Sequence, residues 1–195
     1  MDVFSSSNSS FSIVNHRLMG GGVIHLECPK NRRGLGEPDM IILHYTAGSS
    51  AISSAKFLVR PDVKASAHVV IGRDGQVIQL VPFNIEAWHA GKSSYGGRSE
   101  LNHYSIGIEL DNLGQLRLEG GRFVAECGKE VPVGEVYTED SGGEPTYWHD
   151  YTDVQMRVLN EVCGLLVDIV GHSEVTSRKV DPGPALRVAE WIQYY

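Results

Sequence analysis

Cysteine is scarce in this chain. Its three cysteines, Cys28, Cys127 and Cys163, are odd in number and have no C-x-x-C spacing, which argues against a disulfide framework and a cysteine-rich zinc site and makes free thiols the expectation. No apolar run approaches the roughly 20 residues that span a bilayer, so membrane insertion is not expected. The first 19 residues have neither the cationic start nor the continuous apolar segment of a secretory signal. Cytoplasmic residence is expected, or else release by a route that needs no such signal. An excess of positive charge is missing too: the net charge is −7, so nothing attracts nucleic acid or anionic lipid, and an anionic substrate would need a local basic pocket. The H-E-x-x-H helix of common metalloproteases is absent. No sequence feature sets an oligomeric state.

What is present is an ordinary globular composition, 42% apolar and 21% charged with 22 glycines among 195 residues, enough for one sizeable core and many turns. Residues 1–20 are Ser-rich and read as a polar arm, and residues 21–195 as one domain with a surface insertion over about 111–150. Met40 to Thr46 reads as a strand, and Ser49 or Ser50 caps a helix carrying Ile52, Ala55, Leu58 and Val59 that Pro61 stops. Val69 to Ile71 and Val77 to Val81 flank Asp74-Gly75 and predict a hairpin; Pro82 to Tyr104 is a long loop, and Ser105 to Leu110 another strand. The stretch from Asp111 to Asp150 reads as a hairpin excursion. Thr152 and Gln155 form a capping box before a helix carrying Val158, Leu159, Val162, Leu165, Leu166 and Ile169, and Pro184 starts a last helix through Ala189 and Trp191. The expected class is α/β in the mixed α+β sense: a single domain with a central mixed β-sheet flanked by helices.

Chemistry concentrates near the C-terminal end. His172 follows Gly171, Asp181 stands nine residues later, and Lys179 two before Asp181. With His44, which ends the apolar run from Met40, these offer zinc two imidazoles and a carboxylate and leave a fourth position open, as a hydrolytic zinc site needs. On the strand 105–110, Ile106, Ile108 and Leu110 share one face and Glu109 points to the other with Gly107, which makes Glu109 the candidate general base. If the backbone is extended, Lys179 points the same way as Asp181 and can stabilise a tetrahedral oxyanion. Taken singly, His44 reads equally as a hydrogen-bonded core residue, Glu109 as an edge-strand charge, Lys179 as a solvated loop residue and Asp181 as a turn former before Pro182.

The conjunction is more specific. The segments His44-Tyr45-Thr46-Ala47-Gly48, Ser66-Ala67-His68, Arg73-Asp74-Gly75, Trp88-His89-Ala90-Gly91, Ser105-Ile106-Gly107-Ile108-Glu109-Leu110, Gly171-His172-Ser173 and Arg178 to Pro184 occur in an order and spacing that resembles the zinc-dependent N-acetylmuramoyl-L-alanine amidases of the type 2 amidase family. That family also holds phage lysozyme-amidases and peptidoglycan recognition proteins, and the likeness is greatest to its AmpD-type recycling amidases. The resemblance implies Zn2+ held by His44, His172 and Asp181, and cleavage of the amide between the lactyl group of muramic acid and L-alanine in peptidoglycan or a muropeptide. It places Lys64 and Arg98 on the carboxylates of the stem peptide and Asn102 on its backbone. Lys64 stands where AmpD-type enzymes carry arginine, a point charge in place of a planar fork. Phage members carry tyrosine where this chain has Ala67, lack the strand glutamate, and use cysteine where Asp181 stands. His68 and His89 are secondary candidates for orienting water or the substrate carbonyl, with packing beside the zinc site as the plainer role, and Trp88 could floor a sugar groove or anchor the core. Two other readings stand beside the amidase: a non-catalytic peptidoglycan-binding module of the same fold, and a zinc peptidase cutting within the stem.

Overall fold

The computed structural model describes residues 10–31, 33–140, 142–166, 168–171 and 184–186. In chain order the elements are β1 (Phe11–Val14), β2 (Arg17–Gly20), β3 (Ile24–His25), β4 (Met40–Tyr45), α1 (Ala51–Leu58), β5 (Val69–Ile71), β6 (Val77–Gln79), β7 (Ser94–Tyr95), β8 (Arg98–Ser99), β9 (Ser105–Leu110), β10 (Gln115–Glu119), β11 (Arg122–Ala125), β12 (Glu130–Val131), β13 (Val136–Glu139), β14 (Thr146–His149), α2 (Asp153–Cys163) and β15 (Asp168–Gly171).

The main sheet has the order β15-β4-β9-β5-β6-β3, with β15, β4, β9 and β5 parallel and β6 antiparallel to β5. It is the mixed sheet expected from sequence. Helices cover both faces, and this is why Met40 to Leu43 is apolar without alternation. On one face Ile41, Leu43, Val69, Ile71, Ile106, Ile108 and Leu110 pack with Met156, Leu159 and Val162 of α2. On the other, Val70 and Ile78 pack with Ala51, Ala55 and Leu58 of α1, and Ile42 with Ala90 and Leu101. Burying a side chain of this size contributes about 1.5–3 kcal/mol, so these two layers dominate the stability.

The caps differ in part from expectation. Ser50 caps α1, its Oγ accepting from the Ser53 N–H at 3.3 Å, but Ile52 is exposed and the buried positions are Ala51, Ser54, Ala55 and Leu58. Thr152 Oγ1 accepts from the Gln155 N–H at 3.1 Å, yet the Gln155 side chain does not close a capping box. It is fully buried and donates to the carbonyls of Ile71 and Asp111 at 3.0 and 3.1 Å, satisfying backbone groups where β5 and β9 end. Nor does Ile169 belong to α2: the helix ends at Cys163, and Ile169 lies in β15 opposite Ile41. The expected last helix corresponds, as far as the described residues go, to a 3-10 turn at Pro184–Leu186.

Two stretches carry more structure than the sequence suggested. The supposed polar arm contains the β1–β2 hairpin, whose Phe11 and Leu18 are buried in the main core; its turn residues Asn15 and His16 have φ of 48° and 64°. The 111–150 excursion is a second, antiparallel sheet of order β12-β11-β10-β14-β13 with its own apolar cluster of Leu113, Leu116, Ala125 and Val131. It rises from the end of β9 that carries Glu109, with Gly114 (φ +74°) closed against the ring of Tyr45. Arg73 of the β5–β6 turn ties it down by donating to the Asp150 carbonyl at 2.6 Å and to Glu135 Oε2 at 2.9 Å.

Candidate active site

The parallel register of β4 and β9 builds the centre of the site. His44 and Glu109 are register partners on neighbouring strands, so their side chains leave the same face of the sheet from backbones about 4.8 Å apart. Val70 of β5 completes the row. On the other side of β4, β15 runs in register with Gly171 opposite Leu43, and the residue one peptide bond further along the chain is His172. The strand order therefore brings Gly171 beside the strand of His44 although 127 positions separate the two residues. His172, Lys179 and Asp181 themselves lie outside the described residues.

One row below, Gly107 faces the same side as Glu109, and His89 fills the space above it: a Cβ on residue 107 would stand 2.3 Å from the imidazole. Seated there, His89 meets two other imidazoles. Its Nδ1 is 3.1 Å from His44 Nε2, with the rings crossed at 82°, and the His68 ring lies edge-on at 5.9 Å. His89 Nε2 is 3.3 Å from Ser105 Oγ, which donates to the Leu101 carbonyl at 2.7 Å. His44 is 3% exposed, which places it at the closed bottom of the site.

His68 is fixed by backbone alone. Its Nδ1 accepts from the Gly107 N–H at 2.9 Å, so the proton sits on Nε2 and is donated to the Ile85 carbonyl at 3.0 Å. Complete burial pushes its pKa down to about 4 against the opposing pull of that carbonyl, so the ring is neutral and structural. It joins β9 to the loop that carries Trp88 and His89.

That loop is held at two further points. Ser66 N–H donates to the Trp88 carbonyl and Ser66 Oγ accepts from the Trp88 N–H, at 2.9 and 2.8 Å. Asn102 Oδ1 accepts from the consecutive N–H groups of His89 and Ala90 at 3.1 and 2.8 Å, so the residue expected to meet the substrate backbone also fixes the loop. Trp88 is 38% exposed and stands at the surface.

Lys64 is exposed in the turn after α1, two residues before Ser66, which holds the backbone of Trp88. The turn is drawn around a residue that sequence reasoning missed: Lys30 Nζ donates to the carbonyls of Leu58, Arg60, Val63 and Ala65 at 2.6–3.0 Å. Burial lowers its pKa, with Cys28 and Asp62 acting the other way. Nothing in the sequence around Lys30 marks it, because its acceptors are backbone groups 28 to 35 residues away.

Arg98 occupies a different place. It donates from NH1 to both carboxylate oxygens of Asp39 at 2.9 and 2.7 Å and lies 5.0 Å over the ring of Tyr104. Asp39 precedes β4, five residues before His44, and at about 3.3 Å per residue this is the far end of the strand.

Zinc takes imidazole nitrogens and carboxylate oxygens in a tetrahedral set. A buried strand-end imidazole with one nitrogen engaged by a polar neighbour is how proteins hold a metal-binding histidine, and His44 fits that requirement. Among the described residues no group of three or more His, Cys, Asp or Glu could hold a metal ion, as expected when two of the three candidate ligands fall outside them.

The profile of the N-acetylmuramoyl-L-alanine amidase family matches residues 34–184, which takes in the second sheet, five of the six strands of the main sheet and every motif from His44 to Pro184. The chain belongs to this family. It is 33% identical over 141 residues to the 1,6-anhydro-N-acetylmuramyl-L-alanine amidase AmpD of Escherichia coli K12, covering 68% of this chain and 57% of that protein. It is 28% identical over 153 residues to the N-acetylmuramoyl-L-alanine amidase AmiD of the same organism. The chain thus spans little more than half the length of the curated relative AmpD. A crystal structure of a selenomethionine AmpD shares the family fold with a TM-score of 0.61 at 24% identity, over 89% of this chain and 96% of that one. AmiD from E. coli, solved with anhydro-N-acetylmuramic acid-L-Ala-D-γ-Glu-L-Lys, gives 0.59 at 22%, over 95% and 67%.

Proposed function

We propose that this chain is a zinc-dependent amidase that hydrolyses the bond between the lactyl group of N-acetylmuramic acid and L-alanine, in muropeptides or peptidoglycan, and releases the stem peptide. The observation that carries the reading is the register pairing of His44 with Glu109 inside a chain of this family, beside the strand that leads into His172. A module that only bound peptidoglycan would have no use for a strand carboxylate paired with a buried imidazole.

In this reading His44, His172 and Asp181 hold the metal. Bound zinc would supply a Lewis acid for the amide carbonyl and lower the pKa of water towards about 7. Glu109 takes the proton from the attacking water as its oxygen bonds to the carbonyl carbon, and returns it to the nitrogen of L-alanine as the C–N bond breaks. Lys179 stabilises the negative charge that develops on the carbonyl oxygen. Lys64 offers its ammonium to a stem-peptide carboxylate, and Trp88 gives the sugar an apolar wall. Asn102 and His89 shape the floor between them. The AmpD relative is named for 1,6-anhydro-N-acetylmuramyl-L-alanine, and a muropeptide of that kind is the substrate to try first; no helix among the described residues is long and apolar enough to cross a membrane.

Mass spectrometry of a muropeptide incubated with zinc-loaded protein tests this. Free stem peptide and intact anhydro sugar are expected. Binding without release would identify a recognition module, and a fragment cut within the stem would identify a peptidase.

A further inference from the structure

His44 can offer a metal only a nitrogen that carries no proton, and the structure contains the hydrogen bonds that decide which nitrogen that is. Ser105 fixes the first proton. Its hydroxyl has one proton, and the Leu101 carbonyl, 2.7 Å away, can only accept, so the proton lies on that contact. Placing it elsewhere would set two oxygen lone pairs against each other at 2.7 Å. Ser105 Oγ therefore accepts from His89 Nε2 at 3.3 Å, which makes Nε2 the protonated nitrogen of a neutral His89. His89 Nδ1 is then an acceptor, and the group facing it at 3.1 Å, His44 Nε2, must be the donor. The lone pair of a neutral His44 is left on Nδ1.

We infer that His89 and Ser105 are positioning residues that set the tautomer of His44, holding its proton on Nε2 and leaving Nδ1 as the atom offered to zinc. The two ends of the arrangement are shielded from water, and His89 between them is partly buried. Ser105 is 0% and His44 3% exposed, and His89 is wedged between the backbone of Gly107 and the His68 ring. A side chain at residue 107 would close the space, so Gly107 belongs to the device. The inference rests on the proposed role of His44 as a zinc ligand.

The experiment uses full-length protein labelled with 15N-histidine, free of metal and then loaded with zinc, read by long-range 1H–15N correlation and by competition with a chelator for zinc affinity. In wild type the His44 ring should show a protonated Nε2 throughout, and zinc should move the Nδ1 resonance. His89→Leu removes the acceptor and should weaken zinc binding by about 10–100-fold with loss of the tautomer preference. His89→Asn restores an acceptor oxygen near the Nδ1 position and should recover most of the affinity. Ser105→Ala, a small change that keeps the fold if His89→Leu does not, should lower zinc affinity by about 10-fold. Zinc on Nε2 of His44, or wild-type affinity in either His89→Leu or Ser105→Ala, would overturn the inference. His44→Ala separates the two levels: stoichiometric zinc in that variant refutes the ligand assignment, whereas lost zinc there with unchanged binding in the other variants refutes only the tautomer control.

Discussion

The imidazole of His89 occupies the volume that a side chain on residue 107 would need, within 2.3 Å of an ideal Cβ. Residue 107 has an ordinary strand backbone, so this glycine is required by space and not by conformation. Gly107→Ala should push His89 off its seat, at a cost of about 1–3 kcal/mol from overpacking, and lower kcat/KM by more than the lost stability explains. Denaturant melts alongside steady-state kinetics at a temperature where the variant is folded would show it; wild-type kinetics in the variant would mean that the site does not depend on His89.

Glu109 shares its row with His44 yet is not among the proposed ligands. Glu109→Gln should keep stoichiometric zinc by elemental analysis and lose about 10²–10⁴-fold in turnover, the usual contribution of a general base. Loss of the metal in this variant would move Glu109 from base to ligand.

Lys64 and Arg98 were expected to act together on stem-peptide carboxylates, but their settings differ. Lys64→Ala should raise KM about 10-fold with kcat nearly unchanged, as the loss of one charge-assisted hydrogen bond predicts. Lys30→Met should raise KM in the same direction, because the turn bearing Lys64 is drawn around the Lys30 ammonium. Arg98→Ala should leave KM alone and cost less than about 1 kcal/mol, since its partner Asp39 is exposed. Kinetics on a muropeptide with and without its terminal carboxylate would separate these outcomes.

Acid should loosen the second sheet. Burial, reinforced by Arg73, pushes the His149 pKa down to about 4, while the Glu135 carboxylate at 3.3 Å pulls it back only partly. The unfolded chain, with an imidazole near 6.5, takes up the proton before the folded one, so this stabilisation is full above about pH 6.5 and is lost as pH falls towards 4. The shift corresponds to at most about 3 kcal/mol. His149→Asn keeps an acceptor for the Leu113 N–H and removes the titration, so its denaturation midpoint should fall less than that of wild type between pH 6.5 and 4.5. Parallel curves would assign the acid sensitivity elsewhere, His68 being the other buried imidazole with a depressed pKa.

Features written in consecutive residues were legible in the sequence. The apolar run of β4, the period-two pattern that aims Glu109 away from Ile106 and Ile108, the Asp74-Gly75 turn and the Ser50 and Thr152 caps each depend on neighbours a few positions away. What depended on distant partners was not. Ile169 continues the helical spacing of Leu165 and Leu166, and only pairing with Ile41 makes it a strand residue. The Asn15-His16 turn lacks the glycine that usually marks left-handed backbone, and so the hairpin around it looked like a polar arm. The second sheet hid in strands of two to five residues, and the stretch reads from sequence only as a hairpin excursion. At the site, the family motifs brought out His44, His89 and Glu109, but the contact between His44 and His89 crosses 45 positions and exists because of the gap at Gly107.

The parallel pairing of β15 with β4 also orders events during synthesis. Until residues 168–171 leave the ribosome, the strand Met40–Tyr45 has an open edge where its later neighbour belongs, with its backbone hydrogen-bonding groups on that side unpaired. Closing that edge brings together segments more than 120 positions apart, a slow step by the entropy of loop closure. A nascent chain halted inside α2 would therefore be the species most exposed to aggregation and most in need of a chaperone.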